Sequence, residues 1–284
     1  MESFRTTDGV TIAYEVRGRG VPLVVCHGGP STTHEYLVGD LADLETQATL
    51  IFLDYRGSGS SSAAPPETYT FERLADDVDE LRRHLGFESV VVLAHSMGGF
   101  VAIQYALRHA EACRKLVLIS CSPAGTASRT ALPTLRALGP RRLVTLVSRA
   151  AVYLAWWSWR GPSDAKTLAR FSIMGVMQQG QPVFRAAVAE REQLADNDNA
   201  PTLERVAFQT DLCDDLGRIA CPVLVIYGTN DAPFSAGAAL LRSRLHDVET
   251  VALGGVGHHP LVEEHERVTR LITDAVGAET YRRD

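Results

Sequence analysis

No run of this sequence is apolar for long enough to cross a membrane. The most hydrophobic stretch, Leu143 to Trp159, is interrupted by Thr145, Ser148, Arg149 and Ser158, and it falls short of the roughly 18 to 20 apolar residues a span requires. Met1-Glu2-Ser3-Phe4-Arg5 has neither the basic start nor the apolar run of a secretory signal, so a cytoplasmic location is expected. Cysteine is sparse and unpatterned: Cys26, Cys113, Cys121, Cys213 and Cys221 are odd in number and lack CxxC spacing, which fits neither a disulfide framework nor a zinc site. They read as small buried apolar residues. Basic residues number 28 against 34 acidic ones, a net charge of −6 that argues against a nucleic-acid partner. Lysine is confined to Lys115 and Lys166, a bias that genome composition explains as readily as chemistry. The phosphate-cradling patterns GxGxxG and GxxxxGK followed by Ser or Thr are both missing.

What remains is material for a core. Of 284 residues, 45% are hydrophobic and 22% charged, the balance of one elaborated globular domain or two small ones. Short apolar runs that end in polar or glycine-rich loops recur at Pro22 to Cys26, Thr49 to Leu53, Val90 to Ala94, Leu116 to Ile119, Val223 to Tyr227 and Thr250 to Leu253. Such runs predict parallel strands buried on both faces. Helical spacing intervenes at Phe71 to Leu85, Gly99 to His109 and Leu261 to Val276, giving the alternation of an α/β fold. The first segment, Ser3 to Arg17, breaks at Asp8-Gly9, a hairpin signal that predicts antiparallel strands at one sheet edge. Strand character then vanishes between about Pro123 and Cys213, where Pro133, Gly139-Pro140, Gly161-Pro162, Gly180, Pro182 and Pro201 punctuate helical stretches. An all-helical insertion over the carboxyl edge of the sheet is expected there, where α/β proteins bind ligands.

The most informative stretch is Val90-Val91-Val92-Leu93-Ala94-His95-Ser96-Met97-Gly98-Gly99, a strand running into a helix with Ser96 at the apex. Ala94 and Gly98 flank the serine by two on either side, and a strained strand-to-helix turn demands such small residues because neighbouring backbones come close. The stretch resembles the nucleophile elbow of α/β-hydrolases, with Ala94 in place of the usual first glycine. The resemblance implies a mostly parallel eight-stranded sheet flanked by helices, with an inserted all-helical cap. It divides the chain into a core of 1–122 and 214–284 and a cap of 123–213.

A serine alcohol needs a base, and the base an orienting acid. The family order is Ser, acid, His. Asp231 lies in Gly228-Thr229-Asn230-Asp231 after one predicted strand, and His258 lies in Gly257-His258-His259-Pro260 after the next. The triad expected is Ser96, Asp231, His258. His259 is the rival base, set aside because in similar sequences the histidine directly follows the glycine. His95 reads as structural, its side chain pointing away from that of Ser96.

The resemblance also implies an oxyanion hole of two backbone amides, one from Met97 and one from His27-Gly28-Gly29-Pro30, where Gly29 is the choice and Gly28 its neighbour. His27 is expected to tie that loop down. Asp54-Tyr55-Arg56-Gly57-Ser58-Gly59-Ser60 matches another loop of the family, with Asp54 and Arg56 bracing adjacent loops.

His27 to Pro30 together with Asp54 to Ser60 looks most like proline iminopeptidases, whereas Ala94-His95-Ser96-Met97 is similar to esterases, lactonases and carbon-carbon bond hydrolases. Tyr153, Trp156, Trp157, Trp159 and Met177 in the insertion are candidate apolar contacts for a substrate, and Glu204 is among the carboxylates available to hold an ammonium. The expectation is hydrolysis of an ester or lactone of a small, partly hydrophobic substrate without metal or organic cofactor. Peptide or amide hydrolysis stands second, and carbon-carbon bond hydrolysis or a non-hydrolytic binding or biosynthetic role third. Nothing in the sequence specifies an oligomeric state.

Overall fold

The computed structural model describes residues 1–29, 32–125, 144 and 200–277. Eight strands form a single sheet: β1 (Glu2–Arg5), β2 (Thr11–Gly18), β3 (Val21–Cys26), β4 (Ala48–Leu53), β5 (Val90–His95), β6 (Cys113–Ile119), β7 (Val223–Gly228) and β8 (Val248–Leu253). Their order is β1-β2-β4-β3-β5-β6-β7-β8. The pairs β1–β2 and β2–β4 are antiparallel, and the remaining pairs are parallel. The hairpin turns where Asp8-Gly9 predicts it, with Gly9 at φ 88 in the region that costs glycine no Cβ clash.

Seven α-helices lie among the described residues: α1 (Glu35–Val38), α2 (Phe71–His84), α3 (Gly98–Arg108), α4 (Ala200–Gln209), α5 (Ala232–Arg244), α6 (Pro260–Glu263) and α7 (His265–Gly277). No helix is long and apolar enough to cross a membrane among the described residues. Alternate side chains of the central strands separate into two cores. Val24, Val92, Leu118 and Val225 pack toward α2, α3 and α5, whereas Val25, Leu93, Val117 and Leu224 pack toward α1 and α7. Strands buried on both faces have no need of a polar face, which is why their sequences are unbroken apolar runs.

Two expectations need correction. The helix expected over Leu261 to Val276 is two helices, because Glu264 leaves helical geometry at φ −135 and ψ 47 and the His265 ring takes up the Leu261 carbonyl at 3.0 Å. Of the cysteines, Cys221 is only half-buried while the other four are buried. Two segments far apart in sequence meet after β6: Ala124 bridges Asp211, the Gly125 amide donates to Thr210 and the Leu212 amide to Pro123.

Candidate active site

Ser96 sits in the turn between β5 and α3 at φ 55, a left-handed conformation that a non-glycine residue adopts only under constraint from its surroundings. Its amide donates to the Ile119 carbonyl at 3.1 Å and its carbonyl accepts from Gly99, so the turn is fastened to β6 and to the first turn of α3. At Gly98 a Cβ would lie 2.2 Å from the Cys26 carbonyl oxygen and 2.6 Å from that of His27, the close approach that requires a small residue. The amino end of α3 therefore abuts Ser96, bringing its partial positive charge to the hydroxyl.

The other two side chains come from the next loops along the carboxyl edge. Asp231 follows β7 and stands immediately before α5, while His258 follows β8. The two loops are stitched together: the Thr229 amide donates to Leu253 at 3.0 Å, the Asn230 amide to Val256 at 2.8 Å, the Asn230 side chain to Gly255 at 2.7 Å and the Gly255 amide to Thr229 Oγ1 at 2.9 Å. The His258 Nδ1–H donates to Asp231 Oδ2 at 2.7 Å, which leaves Nε2 unprotonated and accepting from Ser96 Oγ at 2.9 Å. Asp231 is fully buried and His258 is 7% exposed. Burial pushes the Asp231 carboxyl upward from its ordinary range, opposed by His258 and by the Ser120 hydroxyl. The ring of Phe234 on α5 covers the imidazole at a centroid distance of 4.5 Å.

His259 does not share this arrangement. Its ring packs on His95 at 5.1 Å, and burial beside His95 and His258 holds it well below the usual imidazole range. His95 points away from Ser96: its Nδ1 meets Tyr36 Oη at 2.7 Å and its Nε2 the His258 carbonyl at 3.0 Å.

In the loop after β3, Gly29 adopts φ 58. Among the described residues neither its amide nor that of Met97 has a protein acceptor. The Gly28 amide, by contrast, donates to Tyr36 Oη at 2.8 Å. The Gly28 amide is thus engaged by Tyr36, whereas that of Gly29 is not. A Cβ on Gly28 would come 2.9 Å from Ser96 Cβ, so glycine is required there for space. His27 does brace the loop, its Nδ1 donating to Gly28 O at 2.8 Å, and burial lowers its imidazole to about 4. Asp54 holds His34 Nδ1 at 2.7 Å and the Ser60 amide at 2.9 Å, while Arg56 grips Asp77. Both therefore fasten loops together.

Among the described residues no group of His, Cys, Asp or Glu is arranged to hold a metal ion. Tyr153, Trp156, Trp157, Trp159 and Met177 lie outside the described residues, as does the side chain of Glu204 on α4.

A family model for the alpha/beta hydrolase fold matches residues 21–155. The chain has the α/β-hydrolase fold. It is 25% identical over 289 residues to a proline iminopeptidase of Saccharolobus solfataricus, covering 97% of this chain and 92% of that one. Its fold is shared with a thermophilic esterase from Thermogutta terrifontis at 23% identity and TM-score 0.73, covering 98% and 99% of the two chains. An N-acyl homoserine lactone degrading enzyme gives 22% identity and TM-score 0.74 over 95% of this chain and 98% of that one. At this site, sequence reasoning missed Tyr36, Thr32 and Phe234. None stands in a recognisable motif: Tyr36 and Phe234 reach the site through contacts with distant His95 and His258, and Thr32 through a hydrogen bond within its own loop to Gly28.

Proposed function

We propose that this α/β-hydrolase cleaves a carboxylic ester or lactone of a small, partly hydrophobic substrate through an acyl-enzyme on Ser96. The reading is carried by the unbroken chain from Asp231 Oδ2 through both nitrogens of His258 to Ser96 Oγ, with separations of 2.7 and 2.9 Å. His258 takes the proton of Ser96 as the hydroxyl attacks the carbonyl, and Asp231 stabilises the imidazolium that forms. The Gly29 and Met97 amides stabilise the oxyanion. The imidazolium then protonates the leaving oxygen, and a water deprotonated by His258 releases the acyl group.

In this reading residues 1–122 and 214–284 are the core and 123–213 the cap that selects the substrate. The aromatic content of that stretch, Tyr153, Trp156, Trp157 and Trp159 included, fits an apolar acyl portion, and Phe234 beside His258 supports the same preference. A proline iminopeptidase-like activity is the second reading, favoured by the 25% identity noted above. Against it stands Met97 after the nucleophile, where enzymes of that kind usually carry tryptophan.

A panel of p-nitrophenyl acyl esters, acyl lactones and proline or alanine arylamides on the purified protein tests the ranking. Ester or lactone turnover well above arylamide turnover, abolished by Ser96→Ala, is expected. Arylamide turnover far above both reverses the order, and activity undiminished by Ser96→Ala removes the acyl-enzyme.

A further inference from the structure

A second chain of hydrogen bonds runs behind the first, and its polarity has one solution. The Gly28 amide can only donate, and it gives its hydrogen to Tyr36 Oη at 2.8 Å. A backbone carbonyl can only accept, so at 3.0 Å from His258 O the Nε2 of His95 must carry a proton. His95 is neutral, since burial and the neighbouring His258 lower it to about 3. Its Nδ1 is therefore an acceptor, filled by the Tyr36 hydroxyl at 2.7 Å. The chain reads Gly28 N–H to Tyr36 O–H to His95 N–H to His258 C=O.

Its ends are the two loops whose separation matters for the chemistry. The Gly28 carbonyl accepts from His27 Nδ1 at 2.8 Å and from Thr32 Oγ1 at 2.5 Å. In a trans peptide the C=O of one residue and the N–H of the next point in opposite directions within one plane. Pinning the Gly28 carbonyl on one side and its amide on the other leaves the Gly29 N–H one direction. The far end of the chain holds the backbone of His258, and its middle, His95, is the residue before Ser96.

We propose that Tyr36 and His95 are positioning residues that hold the Gly29 amide, Ser96 and His258 at a fixed mutual spacing, so that breaking their hydrogen bonds slows acylation without weakening substrate binding. The inference rests on the serine-hydrolase reading above, and deepens it. The His95 ring packs beside that of His258 at a centroid distance of 5.0 Å, but neither Tyr36 nor His95 has a side-chain hydrogen bond to Ser96 Oγ or to the His258 imidazole. Their effect belongs in kcat because an oxyanion donor displaced by a fraction of an ångström is lost mainly in the transition state.

The test compares Tyr36→Phe, His95→Gln and His95→Leu for ester turnover and for the rate of covalent labelling by a fluorophosphonate, with Ser96→Ala as control. Glutamine retains both an acceptor and a donor, whereas leucine has neither. Expected are losses in kcat of about 10- to 100-fold for Tyr36→Phe and His95→Leu with KM within about twofold, and substantial rescue in His95→Gln. Because the chain fails at its first break, Tyr36→Phe adds little in the His95→Leu background. Wild-type labelling rates in Tyr36→Phe, equal losses for Gln and Leu, or additive losses would each overturn the proposal while leaving the serine-hydrolase reading intact. If His95→Leu does not fold, Tyr36→Phe and His95→Gln decide: a kcat loss in the first with retention in the second supports the proposal, and any other pairing refutes it. A wild type that resists labelling as fully as Ser96→Ala overturns the parent reading and the proposal with it.

Discussion

His258 Nδ1 stands 2.7 Å from Asp231 Oδ2 although the two residues are 27 positions apart on separate loops. Backbone and side-chain hydrogen bonds between 229–230 and 253–256 hold those loops against one another. The approach of acid to base is thus built into the loops, and the carboxylate itself is free to serve charge and tautomer.

Replacing that carboxylate by an amide separates the two contributions. Asp231→Asn should leave the thermal midpoint nearly unchanged while lowering turnover by about 10⁴-fold, since an amide favours the wrong imidazole tautomer. Ser96→Ala or His258→Ala should cost up to about a million-fold. Steady-state rates beside thermal melts check both, and an Asp231→Asn enzyme of undiminished turnover removes the acid from the mechanism.

Crowding at the elbow gives a second expectation. A methyl group on Gly98 would sit 2.2 Å from a backbone oxygen of β3, which no rotamer change relieves. Gly98→Ala should lose about 1–3 kcal/mol of unfolding free energy, read from the urea midpoint, and should label more slowly with a fluorophosphonate.

The response to acid follows from three buried imidazoles, His259 being held well below its ordinary range by the same burial as His27 and His95. His27 and His95 titrate at about 4 and about 3 when folded against 6.5 for the free side chain, in both cases chiefly through burial. The unfolded chain binds their protons first, so stability is complete above about pH 6.5 and falls as pH drops toward these folded values, by about 1.4 kcal/mol per unit for each histidine. Melting from pH 7 to pH 4.5 should show this slope, and His95→Gln should remove about a third of it, His27 and His259 supplying the rest.

Arg56 offers a measurement far from the triad. Its buried guanidinium bonds Asp77 twice at 2.7 Å and Asp8 at 2.9 Å, joining the loop after β4 to α2 and to the hairpin. Arg56→Met leaves the buried Asp77 carboxylate with Arg73 as its ion-pair partner, at 2.8 Å, and should cost about 3 kcal/mol, whereas Arg56→Met with Asp77→Leu should cost less. Equal losses in urea denaturation would contradict this account.

The parts legible in the sequence are those written in local patterns. Unbroken apolar runs announce strands buried on both sides, Asp8-Gly9 announces the hairpin, and Ala94 to Gly98 announces a turn that needs small residues. The illegible parts depend on contacts over long separations. Tyr36 reads as an ordinary apolar helix residue until His95, 59 positions later, is seen to receive its hydroxyl proton. Gly29 is favoured over Gly28 already in the sequence, but what occupies the Gly28 amide is Tyr36 Oη, a contact no local pattern announces. The helix Ala232–Arg244 mixes alanine, glycine and serine, so no apolar stripe declares it. Glu264 breaks a helical pattern that the spacing of apolar residues carries straight through.

The bridge between Ala124 and Asp211, with the hydrogen bond from Gly125 to Thr210 beside it, gives the chain a natural graft point. Everything from 126 to 209 begins and ends at one clasp on the sheet, and segments whose ends lie together are exchanged at little cost to their host. A different insertion joined at that clasp would inherit an unchanged strand register, elbow and pair of carboxyl-edge loops. A chimera exchanged here would have to preserve both the clasp and the face of Ala200–Gln209 that seats Leu203 in the core.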